Sequence, residues 1–186
     1  MGPEGPIGPE GPIGPEGPIG TEGPPGPVGS LAQTYLNVYN ISSQLVLQNG
    51  DVTFDSVRII YGNCGFVAGT SQIMIWQAGD YHLICNLFHL EPLQMGTFLN
   101  GSPIPGTVIG EQNSQSFANT AQIITIRLTD ITTPTSLAPS GFAAALTLRN
   151  YISYPPGGVH IDGQTGSGTI PGQANINFTV FLLRAS

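Results

Sequence analysis

Apolar and polar positions alternate with a period of two over most of the chain. The clearest run is Asn175–Arg184, where Ile176, Phe178, Val180 and Leu182 share one face and Asn175, Asn177 and Thr179 the other. The same spacing, with β-branched and aromatic residues, marks Thr34–Tyr39, Val57–Tyr61, Gln72–Trp76, Asp80–Leu90, Thr97–Asn100, Gln122–Thr129 and Ala143–Arg149 as strands. No window carries the pattern of an amphipathic helix. Two runs are apolar on both sides. In Asp80–Leu90, Leu83, Cys85 and Leu87 line one face while Ile84, Phe88 and Leu90 line the other, and Phe181 and Leu183 do the same near the end of the last run. A strand of that kind has a second surface to bury, and an interface between copies of the chain would supply it.

Turn chemistry separates the runs. Asn49-Gly50 and Asn100-Gly101 read as hairpin turns, whose two central residues both need positive φ. Pro103, Pro105, Pro134, Pro139, Pro155, Pro156 and Pro171 punctuate the remaining connections. Eight or more strands in about 155 residues predict an all-β fold of two packed sheets, a jelly-roll sandwich.

Before Ser30 the period is three instead of two. From Gly2 to Gly29 every third residue is glycine, in alternating Gly-Pro-Glu and Gly-Pro-Ile triplets followed by Gly-Thr-Glu, Gly-Pro-Pro and Gly-Pro-Val. Three polyproline-II chains wind together only where the residue at the crowded axis has no side chain. Proline in the second place of the triplets presets φ and lowers the ordering cost. The chain therefore divides into a collagen-like stalk, 1–29, and a β domain, 30–186, and the triple helix makes a homotrimer the expected assembly. At about 3 Å per residue the stalk would span roughly 85 Å. Proline fills the third place only at Pro25, which argues against a chain tuned for prolyl hydroxylation and for a bacterial or viral source. No charged-then-apolar leader precedes the repeat, so targeting information is expected outside this sequence or export by another route.

A collagen stretch followed by a β domain resembles the complement C1q and tumour-necrosis-factor-like architecture. Gly79-Asp80-Tyr81-His82-Leu83-Ile84 is similar to the glycine–aromatic strand in the middle of that domain, and Asn177-Phe178-Thr179-Val180-Phe181-Leu182-Leu183 to its final core strand. With Arg184-Ala185-Ser186 following directly, the chain resembles bacterial collagen-like spore-surface (exosporium) glycoproteins of the BclA type. The resemblance implies a C1q/TNF-like trimeric head on a stalk at a spore surface. Those stalks are rich in Gly-Pro-Thr triplets whose threonines carry sugars, whereas Thr21 is the only stalk threonine here.

Charge narrows the classes of partner. Eleven acidic residues face four arginines, Arg58, Arg127, Arg149 and Arg184, with no lysine. Four scattered cations cannot neutralise a phosphate backbone, so no nucleic-acid partner is expected. No apolar run is long enough to span a bilayer, so no membrane insertion is expected either.

Candidate chemistry is sparse. His82 and His89 share one predicted strand but point to opposite faces, so they cannot chelate one metal within a chain, and each reads as a solvated or core-edge histidine. His160, beside Asp162 in the glycine-rich loop Gly157–Gly168, reads as turn chemistry. Gly163–Gly168 lacks the lysine and following helix of a phosphate loop. No Gly-x-Ser-x-Gly elbow occurs, no cysteine has a histidine partner, and the carboxylates are scattered singly. Cys64 and Cys85 are read as two buried thiols, with a single bridge between neighbouring strands as the alternative. Asn40-Ile-Ser, Asn100-Gly-Ser and Asn177-Phe-Thr match the glycosylation sequon at the frequency chance allows. No catalytic residue, metal ligand or cofactor is assigned, and an enzyme is not expected. The expectation is an extracellular structural filament protein of a spore coat or exosporium, its stalk carrying a trimeric β head. The alternative is a receptor-binding adhesin or a viral or phage fibre tip of the same build, with a host-surface receptor or glycan as partner.

Overall fold

The alternating runs pair into two antiparallel sheets. The computed structural model describes residues 1–13, 34–151, 157–162 and 174–186. Its strands are β1 (Tyr35–Asn40), β2 (Gln44–Leu47), β3 (Ser56–Tyr61), β4 (Cys64–Phe66), β5 (Ile73–Ile75), β6 (Gly79–His89), β7 (Leu93–Leu99), β8 (Ser102–Pro103), β9 (Ile109–Glu111), β10 (Ser116–Ile126), β11 (Thr133–Pro134), β12 (Phe142–Asn150), β13 (Gly158–Ile161) and β14 (Ile176–Ala185). The front sheet runs β3-β1-β14-β6-β10, and the β2–β13 ladder joins the far end of β6 through Ile161 and His89. The rear sheet runs β4-β5-β12-β7-β8, with β11 on β12 and β9 on β7. Among the described residues the only helical turn is a single 3-10 turn, Leu128–Asp130. Residues 1–13 take up no hydrogen-bonded element and are exposed throughout, and the rest of the collagen-like repeat, 14–29, lies outside the described residues.

The core fills the space between the sheets, as the period of two requires. Leu36, Val38, Leu83, Cys85, Leu87, Phe178 and Val180 come from the front sheet, and Ile73, Ile75, Met95, Leu146 and Leu148 from the rear. Phe54 sits at the centre, with ring centroids 6.1 Å from Phe66 edge-on and 6.1 Å from Phe178 stacked. Each such fully buried side chain contributes about 1.5–3 kcal/mol over leaving it in water. Tyr81 reaches the end of the core and donates its hydroxyl proton to the Gln77 carbonyl at 2.8 Å, which satisfies the one polar atom it buries. Cys64 is on the rear sheet and Cys85 on the front, both buried and both free thiols, so the reading as small hydrophobes holds and no bridge joins them. Burial pushes the Cys64 thiol up to about 11 and that of Cys85 up to about 12.

Several expectations need correction. Asn100 (φ 50°) and Gly101 (φ 80°) form the expected hairpin turn between β7 and β8. Asn49-Gly50 does not form one. Only Asn49 has positive φ there, and the turn closes from the Gly50 amide onto the Leu47 carbonyl, sending the chain from the front sheet to an Asp51–Arg149 bridge with the rear. The loop read at Gly157–Gly168 holds a strand instead, because β13 pairs along the whole of β2; Gly163–Gly168, like Pro155, Pro156 and Pro171, lies outside the described residues. The run read as Gln122–Thr129 begins six residues earlier and ends at Ile126, because β10 pairs with all of β6 from Ser116–His89 to Ile126–Gly79.

Candidate interaction surface

The second, outward face of the front sheet is where the doubled strands point. Antiparallel register aligns one residue from each strand into rows. Tyr61, Tyr35, Phe181, His82 and Ile123 form one row across β3, β1, β14, β6 and β10. Within it Tyr35 and Tyr61 stack at 5.3 Å, and His82 meets Phe181 edge-to-face at 4.9 Å, contacts that favour this register. The next row is Ile59, Asn37, Thr179, Ile84 and Ala121, with the Asn37 amide donating to the Thr179 hydroxyl at 2.8 Å. Beyond it Tyr39, Asn177, Asn86 and Asn119 form a row of amides behind one tyrosine. At one border Phe117 lies edge-on against Phe88 at 4.9 Å. At the other, Asp80 accepts from Thr125 at 2.8 Å and from Arg184 at 2.7 Å, the hydroxyl and then the guanidinium holding its carboxyl below the usual range.

This face is apolar and open. Ile123 is 67% exposed, Phe117 59% and Tyr61 58%. The side-chain oxygens of Asn37 and Asn177, both on this face, are shut off from solvent without a hydrogen-bond partner among the described residues. A contiguous patch of large apolar groups bordered by polar ones is the signature of a protein–protein contact. Phe181, Leu183, Ile84 and Phe88 were legible as the second apolar side of their strands. Tyr35, Tyr61, His82 and Ile123 join them only through the pairing of distant strands.

The titratable groups are arranged for structure. His82 belongs to the aromatic row. His89, on the opposite face as expected, is fully buried, not solvated, and one ring nitrogen contacts the Glu91 carbonyl oxygen at 2.7 Å. His160 lies on β13 with its ring nitrogen 2.7 Å from a Glu91 carboxylate oxygen, while its amide donates to the other at 2.7 Å. Its partner is thus Glu91, far along the chain, not the neighbouring Asp162 on which the loop reading rested. Among the described residues no group of three His, Cys, Asp or Glu could hold a metal ion. Of the sequon asparagines, Asn40 is buried, Asn177 lies within β14, and Asn100 is bound by the Ala145 amide and the Thr133 hydroxyl.

No protein-family model matches the sequence. No curated protein matches it either. Solved structures do. The globular domain of the zebrafish complement 1qA protein superposes with a TM-score of 0.55 at 13% identity, covering 83% of this chain and 99% of that one. The PRD1 vertex protein P5 gives 0.51 at 11% identity, covering 83% and 100%. Murine APRIL gives 0.46 at 10% identity, covering 80% and 98%. At such identities a likeness speaks for the fold alone. The described β domain shares its two-sheet sandwich fold with the globular domain of that complement 1qA protein.

Proposed function

We propose that this chain is a non-enzymatic surface protein, a collagen-like stalk carrying a β head that associates in threes through the outward face of its front sheet. One observation carries this reading. The open row Tyr61–Tyr35–Phe181–His82–Ile123 belongs to a chain whose glycine-triplet repeat can wind only as three strands. Covering that row removes apolar area from water. The resemblance of Gly79–Ile84 and Asn177–Leu183 to collagen-stalked head domains supports an extracellular filament of a spore coat or exosporium. In that role the stalk holds the head away from the particle and the head registers the three chains.

A second reading, the receptor-binding tip of a virus or phage fibre, has the fold likeness to the PRD1 vertex protein in its favour. A screen of the full chain against glycans and host-cell surfaces separates the two. No saturable binding is the result a coat filament gives, and saturable binding to one surface is the result an adhesin gives.

A further inference from the structure

The outward face of the rear sheet carries a cleft that the self-association surface does not use. Alternation puts Met74 on that face of β5, with Gln72 and Trp76 flanking it, and Ala143, Ala145, Thr147 and Arg149 on that face of β12, because Ile73, Ile75, Leu146 and Leu148 between them fill the core. Met74 pairs with Ala145 and Ile73 with Leu146, so one step further the register brings Gln72 beside Thr147. Two hollows meet at Gln72. One, of about 460 Å³, is walled by Thr70, Ser71, Gln72 and Ser136 over apolar Met74 and Leu137. The other, of about 290 Å³, is walled by Asp51, Gln72, Thr133, Thr147 and Arg149.

Three properties define what fits. Among the described residues the only charges in these walls cancel: Arg149 Nε meets Asp51 Oδ1 at 2.6 Å and Nη2 meets Oδ2 at 3.2 Å, while Phe98 lies 4.3 Å beneath the guanidinium. The remaining polar wall is hydroxyl and amide, with thioether and aliphatic surface beside it. The Thr147 hydroxyl oxygen is buried without a hydrogen-bond partner. A buried hydroxyl left unpaired costs stability, and valine would fill the same space without that cost. Such a group calls for a partner that the described residues do not supply.

We propose that the two hollows form one binding site for a neutral glycan, with Gln72 and Thr147 as its central hydrogen-bonding residues. An anion would need an unpaired cation, and a cation an unpaired carboxylate; the Asp51–Arg149 pair offers neither. The Thr70 and Thr133 hydroxyls are held by Val67 and Asn100, but an apolar ligand would leave the Thr147 hydroxyl unpaired. A sugar matches both halves of the wall, hydroxyls to the polar groups and C–H faces to Met74 and Leu137, in hollows near the about 300–1,000 Å³ typical of small-ligand clefts. This site rests on the second, adhesin reading and not on the coat filament, and gives that reading a ligand class.

The test is titration of the full chain with neutral hexose and N-acetylhexosamine oligosaccharides, with sialylated and sulfated ones as comparison, by calorimetry and saturation-transfer NMR. The expected result is saturable binding of a neutral oligosaccharide, weakened at least about tenfold by Gln72→Ala and by Thr147→Val, the loss of one buried hydrogen bond each. The Thr147→Val head should melt no lower than the parent, so its lost binding cannot be put down to misfolding. Absence of neutral-glycan binding, preference for the anionic glycans, or binding indifferent to both substitutions would each overturn the site. A chain that binds a host surface but no neutral oligosaccharide keeps the adhesin reading and loses this one.

Discussion

At the first position of β6 there is no room for a side chain. A Cβ on Gly79 would run into the Arg184 carbonyl oxygen and the tip of the Leu182 side chain, and the first is backbone of β14 that cannot swing aside as a side chain can. Gly79→Ala should therefore lower head stability by about 1–3 kcal/mol, read as a shift of the denaturant midpoint. An unchanged midpoint would mean that β14 moves aside freely. Asp55 has a different signature. Burial raises its pKa, but the Ser56 and Ser42 hydroxyls and the Ser42 and Ile41 amides bond the carboxylate and lower it on balance. A carboxyl with a lowered folded pKa contributes stability above its unfolded value, near about pH 4, and that contribution is lost as pH falls through the folded value. Asp55→Asn should consequently make the acid loss of head stability shallower between about pH 4 and pH 2, measured by melting at each pH. A curve parallel to the parent's would show that these hydrogen bonds do not discriminate the ionised form.

Among the elements, β6 and β14 organise the head, and they are also the two strands most legible in the sequence. Their inward faces are apolar without a break, further apolar residues stand on the outward faces, and the structure pairs them from Leu87–Ile176 to Gly79–Ala185. All eight strands read from periodicity exist, with ends displaced by up to six residues. The unread ones, β2, β4, β8, β9, β11 and β13, are two to four residues long, too short for a period of two to stand out. β8 and β9 form on the long β7 and β11 on β12, while β2 and β13 pair with each other and β4 with the short β5, so only tertiary pairing decides their state. The early half of β10 escaped for the same reason: Ser116–Ala121 is mostly small or polar, and pairing with β6 decides its state. The aromatic row was half legible, since a strand shows its own two faces but not which distant residues stand beside them. Ile123, on the edge strand β10, is the exposed end of that row. Ile123→Asp should leave the monomer fold intact, because this side chain is outside the core, while placing a charge in the contact and raising the dissociation constant of the assembly by at least about tenfold. Sedimentation velocity over a dilution series reads this directly, and an unshifted dissociation curve would move the interface to another face.

For the whole molecule, stalk and head are expected to part company on heating. Nine complete triplets would make a short triple helix, and only Pro25 stiffens a third place, so the rod would depend on the head to hold three chains together and replace an intermolecular search with a local one. Glu4, Glu10, Glu16 and Glu22 bring four negative charges per chain, twelve per rod, with no stalk lysine or arginine beside them. Their repulsion is screened within about 10 Å at 0.1 M salt. The polyproline-type circular dichroism signal should thus melt below the head, at a temperature that rises with salt, and a salt-independent transition would show that repulsion does not limit the rod. The central claim is that the head itself associates in threes. Among the described residues its core is drawn from Leu36 onwards, so residues 31–186 contain every described core residue of the sandwich. Light scattering on that segment at micromolar concentration measures its mass without help from the triple helix. Three times the chain mass is the predicted result; the mass of a single chain would contradict the account.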